Sequence, residues 1–192
     1  MKFLRSILLW PLKVLNSFSL RLNKVHVSEG LEINGLLLLK NKGVINFGRN
    51  IKINSSSLRN VIGGDTRCSI VVNKGARLYI GNNVKISNSA IYSNNEISIH
   101  DNVMIGGSCR IWDTDFHPID PVVRYKTPNE NFSSRKITIR KNAFIGGGSI
   151  ILKGVTIGEN AVIGAGSVVS KDVPKNEIWA GNPVKFLRKL NK

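Results

Sequence analysis

ITIRKNAFIGGGSIILKGVTIGENAVIGAGSVVSKDV, residues 137–173, places a branched aliphatic side chain at every sixth position. Ile139, Ile145, Ile151, Ile157, Ile163 and Val169 follow one another without a slip, and four residues after each stands Ala143, Ser149, Val155, Ala161, Ser167 and Val173. This period fits neither an amphipathic helix, which repeats at about 3.6 residues, nor a simple strand alternation. It requires a chain that turns a corner every six residues. Each hexad then supplies one short strand whose aliphatic points inward, while the small residue fills the tight space beside the corner. Three hexads make a triangular coil, and stacked coils pair their strands in parallel at about 4.8 Å. The expectation is an all-β fold, a parallel β-helix.

Upstream the same register returns with breaks. Ile99, Ile105 and Ile111 keep the interval, with Val103 and Cys109 at the small or intermediate positions, and Ile80 and Ile86 are followed by Val84 and Ala90. A phrase recurs coil by coil: INFGRNI at 45–51, LYIGNNV at 78–84, ISIHDNV at 97–103 and ITIRKNA at 137–143. Its Gly and Asn residues suit corners that need a left-handed backbone. His100 stands where Gly48 and Gly81 stand, which assigns it to a corner. Before residue 45 the pattern blurs, although Val27, Leu39 and Ile45 indicate a first irregular coil.

One interval refuses the repeat. Residues 112–136, WDTDFHPIDPVVRYKTPNENFSSRK, hold three prolines and no hexad. A stacked core cannot absorb them, so they leave the prism as a loop, and long loops on rigid scaffolds usually carry function. His117 lies at the start of this loop, near Asp115, where the repeat does not explain it; the plain alternative is a surface histidine in a disordered loop.

The amino terminus, MKFLRSILLWPLKVLNSFSLRLNK, reads as a surface helix over residues 1–24. Arg5, Lys13 and Arg21 interrupt its apolar run and no small-residue cleavage site follows, so neither an export signal nor a membrane span fits. At helical spacing Leu4, Ile7, Leu8, Pro11, Val14, Leu15, Phe18 and Leu22 fall on one side, and Lys2, Arg5, Ser6, Lys13, Asn16, Ser17 and Lys24 fall opposite. Leu9 and Leu20 break the pattern, and Pro11 is expected to kink or interrupt the helix. Two roles are open: a cap over the edge strands of the β-helix, or a basic amphipathic anchor on an anionic membrane.

Composition bounds the partners. Against 28 Lys+Arg stand 12 Asp+Glu, a net charge of +16 that favours anionic partners. The basic residues are scattered and no aromatic-rich binding motif accompanies them, which argues against a basic nucleic-acid-binding β-helix protein, the reading of a different class. Cys68 and Cys109 are too few for a disulfide framework and fit reduced, buried thiols in a cytoplasmic protein. His26, His100 and His117 lack close ligand spacing, so no metal is expected.

The segment 137–188, with FIGGG, GVTIG, VIGAGSVVSKDVP and AGNPVKFLR, closely resembles the carboxyl-terminal signature of hexapeptide-repeat acetyltransferases, above all the galactoside and maltose acetyltransferases and the sugar O-acetyltransferases of surface-polysaccharide pathways. The DFHP turn resembles their catalytic segment. The resemblance spans residues 60–190 and implies a left-handed β-helix over 25–180, a basic helix or tail over 181–192, and a homotrimer with acetyl-CoA in the clefts between neighbouring prisms. His117 is then the general base that deprotonates a saccharide hydroxyl as it attacks the thioester, a task imidazole suits at neutral pH. Asp115, Asn88 and Ser87 are the implied acceptor-binding residues. For the cofactor, the backbone at Gly147 and Ala165 would line the pantetheine channel, Ser170 and Lys171 would meet the cofactor, and Lys185 and Arg188 would face its phosphates. Phe144 stands where relatives commonly carry Trp. N-acetylation of an amino sugar or antibiotic by the same scaffold is the competing reading, and a cytoplasmic enzyme, peripheral at the inner face of the membrane if the amino-terminal helix binds lipid, is the expected setting.

Overall fold

The computed structural model describes residues 2–57, 64 and 66–190, with side chains from residue 11 onward. Helix α1 (Lys2–Leu22) leads into the first coil, β1 (His26–Val27), β2 (Glu32–Gly35) and β3 (Leu38–Asn41). The next coils are β4 (Val44–Phe47), β5 (Lys52–Ser55), β6 (Ser69–Val72), then β7 (Arg77–Ile80), β8 (Lys85–Ser87), β9 (Ala90–Ser93), then β10 (Glu96–Ile99), β11 (Met104–Ile105) and β12 (Arg110–Trp112). Here the chain departs into a loop that contains α2 (Pro121–Lys126). It resumes with β13 (Ile137–Ile139), β14 (Phe144–Ile145), β15 (Ile150–Ile151), β16 (Thr156–Ile157), β17 (Val162–Ile163) and β18 (Val168–Val169), and closes with β19 (Glu177–Ala180) and β20 (Lys185–Lys189).

Strands β1 to β15 each pair in parallel with the third strand on, and β17 pairs in parallel with β19, so three sheets run up the molecule: β1-β4-β7-β10-β13-β16, β2-β5-β8-β11-β14-β17-β19-β20 and β3-β6-β9-β12-β15-β18. This is a left-handed parallel β-helix. The hexad aliphatics form its inner columns. Ile53, Ile86, Ile105, Ile145 and Ile163 stand in register on the second sheet, and Ile70, Ile91, Ile111, Ile151 and Val169 on the third. Nearly all are fully buried. Each such side chain stabilises by about 1.5–3 kcal/mol on burial, so the columns are the main cohesive force along the prism. The first coil is the irregular one, with Val27 set against Phe47 and Leu39 against Ile70.

Between the second and third sheets the small position is filled by Cys68, Ser89, Cys109, Ser149 and Ser167, all buried. Ser89 takes the place expected of Ala90, which is only half-buried at the start of β9. The reason is a corner one residue short, since Ile86 and Ile91 are five apart where Ile105 and Ile111 are six apart. The Ser89 hydroxyl accepts from the Cys109 N–H at 3.1 Å and lies 2.9 Å from the Gly106 carbonyl, which compensates for putting a polar group there. Burial raises the pKa of both thiols, that of Cys68 to about 11 against the N–H groups of Ser89 and Asn88, so both are core groups and poor nucleophiles at neutral pH.

The left-handed corner positions belong to asparagine rather than to Gly48 and Gly81. Asn50, Asn83, Asn102, Asn142, Asn160 and Asn176 all have φ between 56° and 60°. Their side chains form a ladder in which each amide donates to the next carbonyl, at 3.4, 3.0, 3.0, 2.9 and 2.7 Å. Asparagine tolerates this backbone better than other side-chain-bearing residues, and the ladder gives its amide a partner on every coil. Gly81 is required by space instead, because a Cβ there would sit 2.8 Å from the Asp101 N.

Both termini close the prism in unexpected ways. Helix α1 runs through Pro11 without a break. It docks by its polar side: the Asn16 amide donates to the Gly35 carbonyl (2.8 Å) and its oxygen accepts from the Leu37 N–H (3.0 Å), while Asn23 pairs twice with Asn41 at 2.8 Å. Leu20, a break in the sequence pattern, packs against the core. The sides assigned to Leu4, Ile7, Leu8, Lys2, Arg5 and Ser6 lie outside the described side chains. At the other end the basic segment forms an edge strand, β20, antiparallel to β19, where a helix or tail was expected. A strand wins because it satisfies the free edge of β19.

Removing the side chain that sustains the corner should therefore cost stability through the backbone. Asn102→Ala is expected to destabilise by about 1–2 kcal/mol, since alanine is disfavoured at positive φ, and Asn102→Gly by clearly less. Equal losses on chemical denaturation would show that the corner backbone is not the source.

Candidate active site

The loop leaves the third sheet after Trp112 and returns before Ile137. Its neck is closed by an antiparallel bridge between Thr114 and Ser134, whose hydroxyls lie 2.9 Å apart. Below the neck Asp113, fully buried, accepts from the N–H groups of Asn94 (2.6 Å) and Asn95 (2.9 Å) and from the Ser93 hydroxyl (3.0 Å). A buried carboxylate with three donors is a fixed anchor. Nothing in the repeat marked it, because it belongs to the point where the repeat stops.

Within the loop, α2 begins at Asp120, whose carboxylate accepts from the N–H groups of Val122 (2.8 Å) and Val123 (2.9 Å), with Pro121 in the first turn. Arg124 ties the turn back by donating to the carbonyls of Pro118 and Ile119. The loop is thus held in shape by its own side chains. Phe116 has φ 65°, a costly conformation for an aromatic residue. It is held there by its ring, 4.8 Å from Tyr92 and 6.0 Å from Trp112.

His117 follows that strained residue and is exposed, with Nδ1 2.7 Å from the Pro128 carbonyl. A carbonyl can only accept, so Nδ1 carries the proton and neutral His117 presents a bare, basic Nε2. Asp115 does not orient this ring. Both its oxygens engage Lys153 Nζ, at 2.7 and 2.6 Å, with the two side chains only 26% and 16% exposed. Lys153 belongs to the next coil, between β15 and β16, so the pair clamps the loop to the prism. His100 plays no part here. It turns a corner by donating its N–H to the Ile139 carbonyl, and burial, then the Arg140 cation, lower its pKa.

Asn88 lies at the shortened corner, φ 42° and 1% exposed. Its amide nitrogen donates to the Thr66 carbonyl at 2.5 Å, which fixes the orientation of the group and leaves Oδ1 buried with no hydrogen-bond partner among the described residues. An orphaned buried acceptor costs about 1–3 kcal/mol and invites a donor. Ser87 is committed to the Asn54 amide at 3.2 Å. Asn88 and His117 are not brought together within one chain: the first enters the third sheet before β9 and the second leaves it after β12, on opposite edges.

The same corner on later coils carries Gly147 and Ala165, stacked one above the other, with the Gly166 N–H donating to the Gly147 carbonyl at 2.9 Å. Among the described residues the N–H groups of Gly147 and Ala165 make no backbone hydrogen bond, while their neighbours Gly148 and Gly166 do. Ser170 is exposed, and Lys171 lies 5.4 Å over the Trp179 ring. On β20 a bulge places Lys185 opposite Ala180 and Arg188 opposite Ile178, so the two cations share a face despite their odd spacing. Trp179 faces the other way, and Lys171 with it. No group of three or more His, Cys, Asp or Glu side chains able to hold a metal ion occurs among the described residues.

Residues 136–171 match the family described as bacterial transferase hexapeptide (six repeats). The chain is 36% identical over 118 residues to galactoside O-acetyltransferase of Lactococcus lactis, covering 61% of this chain and 55% of that protein. Among solved structures it is similar to a hexapeptide-repeat-containing acetyltransferase from Vibrio cholerae (TM-score 0.62, 28% identity, 76% of this chain and 73% of the other). It is also similar to a galactoside acetyltransferase in complex with coenzyme A (TM-score 0.58, 31% identity, 73% and 64%). The chain spans less than two thirds of the length of the curated relatives it matches, 44% to 61% among five of them.

The clamp between loop and prism can be tested without substrate. Lys153→Ala leaves the half-buried Asp115 carboxylate without its cation and is expected to cost about 1–3 kcal/mol, between the values for exposed and buried pairs. It should also speed protease cleavage within the loop, whereas Lys153→Arg should restore most of both. An unchanged melting curve and cleavage rate in Lys153→Ala would remove the clamp.

Proposed function

We propose that this hexapeptide-repeat chain, similar over most of its length to acetyltransferases, moves an acetyl group from acetyl-CoA to a hydroxyl of a saccharide, with His117 as general base. The observation that carries the reading is the Nδ1–H to Pro128 carbonyl contact, which fixes the tautomer and leaves Nε2 free in an exposed loop. A sugar hydroxyl is too weak a nucleophile until a base takes its proton during attack. Nε2 accepts that proton as the oxygen attacks the thioester carbonyl. The tetrahedral intermediate then collapses with cleavage of the C–S bond, and the thiolate of coenzyme A takes the proton back from the imidazolium. The products are an acetyl ester and free coenzyme A. No acyl-enzyme is needed, in keeping with two buried, protonated thiols.

For the donor, the unpaired N–H groups at Gly147 and Ala165 suit the amide carbonyls of pantetheine, with Ser170 and Lys171 further along, and the shared face of Lys185 and Arg188 suits the phosphates. For the acceptor, Asn88 and Ser87 at the shortened corner are the residues proposed, with the Asn88 Oδ1 itself buried in the single chain. Asp115 acts on the acceptor only through the clamp. Because Asn88 and His117 lie on opposite edges of one sheet, a complete site takes one residue from each of two chains. A homotrimer satisfies this with three equal clefts, and surface-polysaccharide precursors are the saccharides proposed.

Two measurements test the reading. In a free-thiol release assay with acetyl-CoA over hydroxyl and amine acceptors, sugar hydroxyls should turn over best, and His117→Ala should lower kcat by about 10²–10⁴-fold. Retained turnover refutes the base, and preference for amines makes the enzyme an N-acetyltransferase. Co-expressed His117→Ala and Asn88→Ala chains, each inactive alone, should regain activity at roughly a quarter of the interfaces, the share that random assembly leaves intact. A mixture as inactive as its components would mean that the two residues serve one chain.

A further inference from the structure

Helix α1 displays its apolar stripe outward. Val14, Leu15, Phe18 and Leu22 are 46%, 52%, 64% and 70% exposed, while the opposite side, through Asn16, Leu20 and Asn23, is occupied by the first coil. The usual arrangement is inverted: an amphipathic helix on a globular body buries its apolar side, and here hydrogen bonds from asparagine hold the polar side instead. These bonds fix the helix by satisfying the open edge of the β-helix, so the apolar stripe is free for another contact.

The charge around the stripe says which contact. Lys2, Arg5, Lys13, Arg21 and Lys24 precede the first carboxylate of the chain, Glu29. Lys13, Arg21 and Lys24 are exposed on or just beyond the helix, with no carboxylate among them. Two copies of this helix laid together would bring only like charges near one another. An anionic bilayer satisfies both features, taking the apolar side chains into the acyl boundary and the cations among its headgroups. No helix among the described residues is long and apolar enough to cross a membrane, so the helix lies in the plane of the surface.

We propose that α1 is an interfacial anchor that docks the protein on anionic lipid through Val14, Leu15, Phe18 and Leu22, with Lys13, Arg21 and Lys24 as its electrostatic complement. Phosphatidylcholine vesicles with and without phosphatidylglycerol, sedimented with the full chain, test this without any acyl acceptor. Binding should require the anionic lipid and fall as salt rises. Phe18→Glu should weaken it at least tenfold, and reversing Lys13 and Arg21 to Glu by about fivefold for each cation lost. The altered side chains are exposed, so melting temperature and the number of subunits in the assembly should not change. Vesicle binding that is absent, or unaffected by Phe18→Glu, overturns the proposal. So does a lower native assembly mass in Phe18→Glu with no loss of lipid binding, which would show that a second copy covers the stripe.

Discussion

A branched aliphatic side chain pointing into a three-sided prism can bury itself only against its counterparts one coil below and one above. That constraint locks the hexads into register, because a slip of one residue on any face would turn the aliphatic outward and a polar neighbour inward. Parallel pairing on all three sheets follows from it, as does the need for a small side chain beside each corner and for a residue at ease with positive φ. The asparagine ladder and the Cys68–Ser89–Cys109–Ser149–Ser167 column are two solutions to that one geometric demand.

How much of this can be read from the chain depends on whether a feature is periodic. The coils from Ile137 onward are legible because every inward residue recurs at a constant interval. The excursion of residues 112–136 is legible by default, since prolines and polar residues cannot be stacked. Ser89 in place of Ala90 is not, because the five-residue interval from Ile86 to Ile91 does not say which residue fills the corner until Ala90 is seen to pair with Arg110. The orientation of α1 is not legible for a different reason: hydrophobic periodicity shows which side of a helix is apolar, and it does not show that Asn16 and Asn23 will find unpaired backbone groups of the first coil. At the carboxyl end, basic residues said nothing of the β19 edge that turned them into a strand.

The candidate site was legible in part. His117 stands out because it interrupts a pattern, whereas Gly147 and Ala165 are named only by the resemblance. What sets their chemistry was not: the Pro128 carbonyl that selects the tautomer lies 11 residues away along the loop, and Lys153, which takes up Asp115, sits 38 residues on in a later coil. Such partners are matters of three-dimensional proximity between segments with no common period. The same holds for Asn88, whose unmatched oxygen follows from its contact with Thr66 rather than from a position in a hexad.

The bridge between Thr114 and Ser134 has a consequence for how such proteins diversify. Chain that departs and returns through a single closed neck can lengthen, shorten or change its side chains while the coils on either side, β12 and β15, keep their own pairing. The pairing of the coils and the content of the excursion are thereby largely decoupled, so the loop can be exchanged as one cassette without rebuilding the sheets.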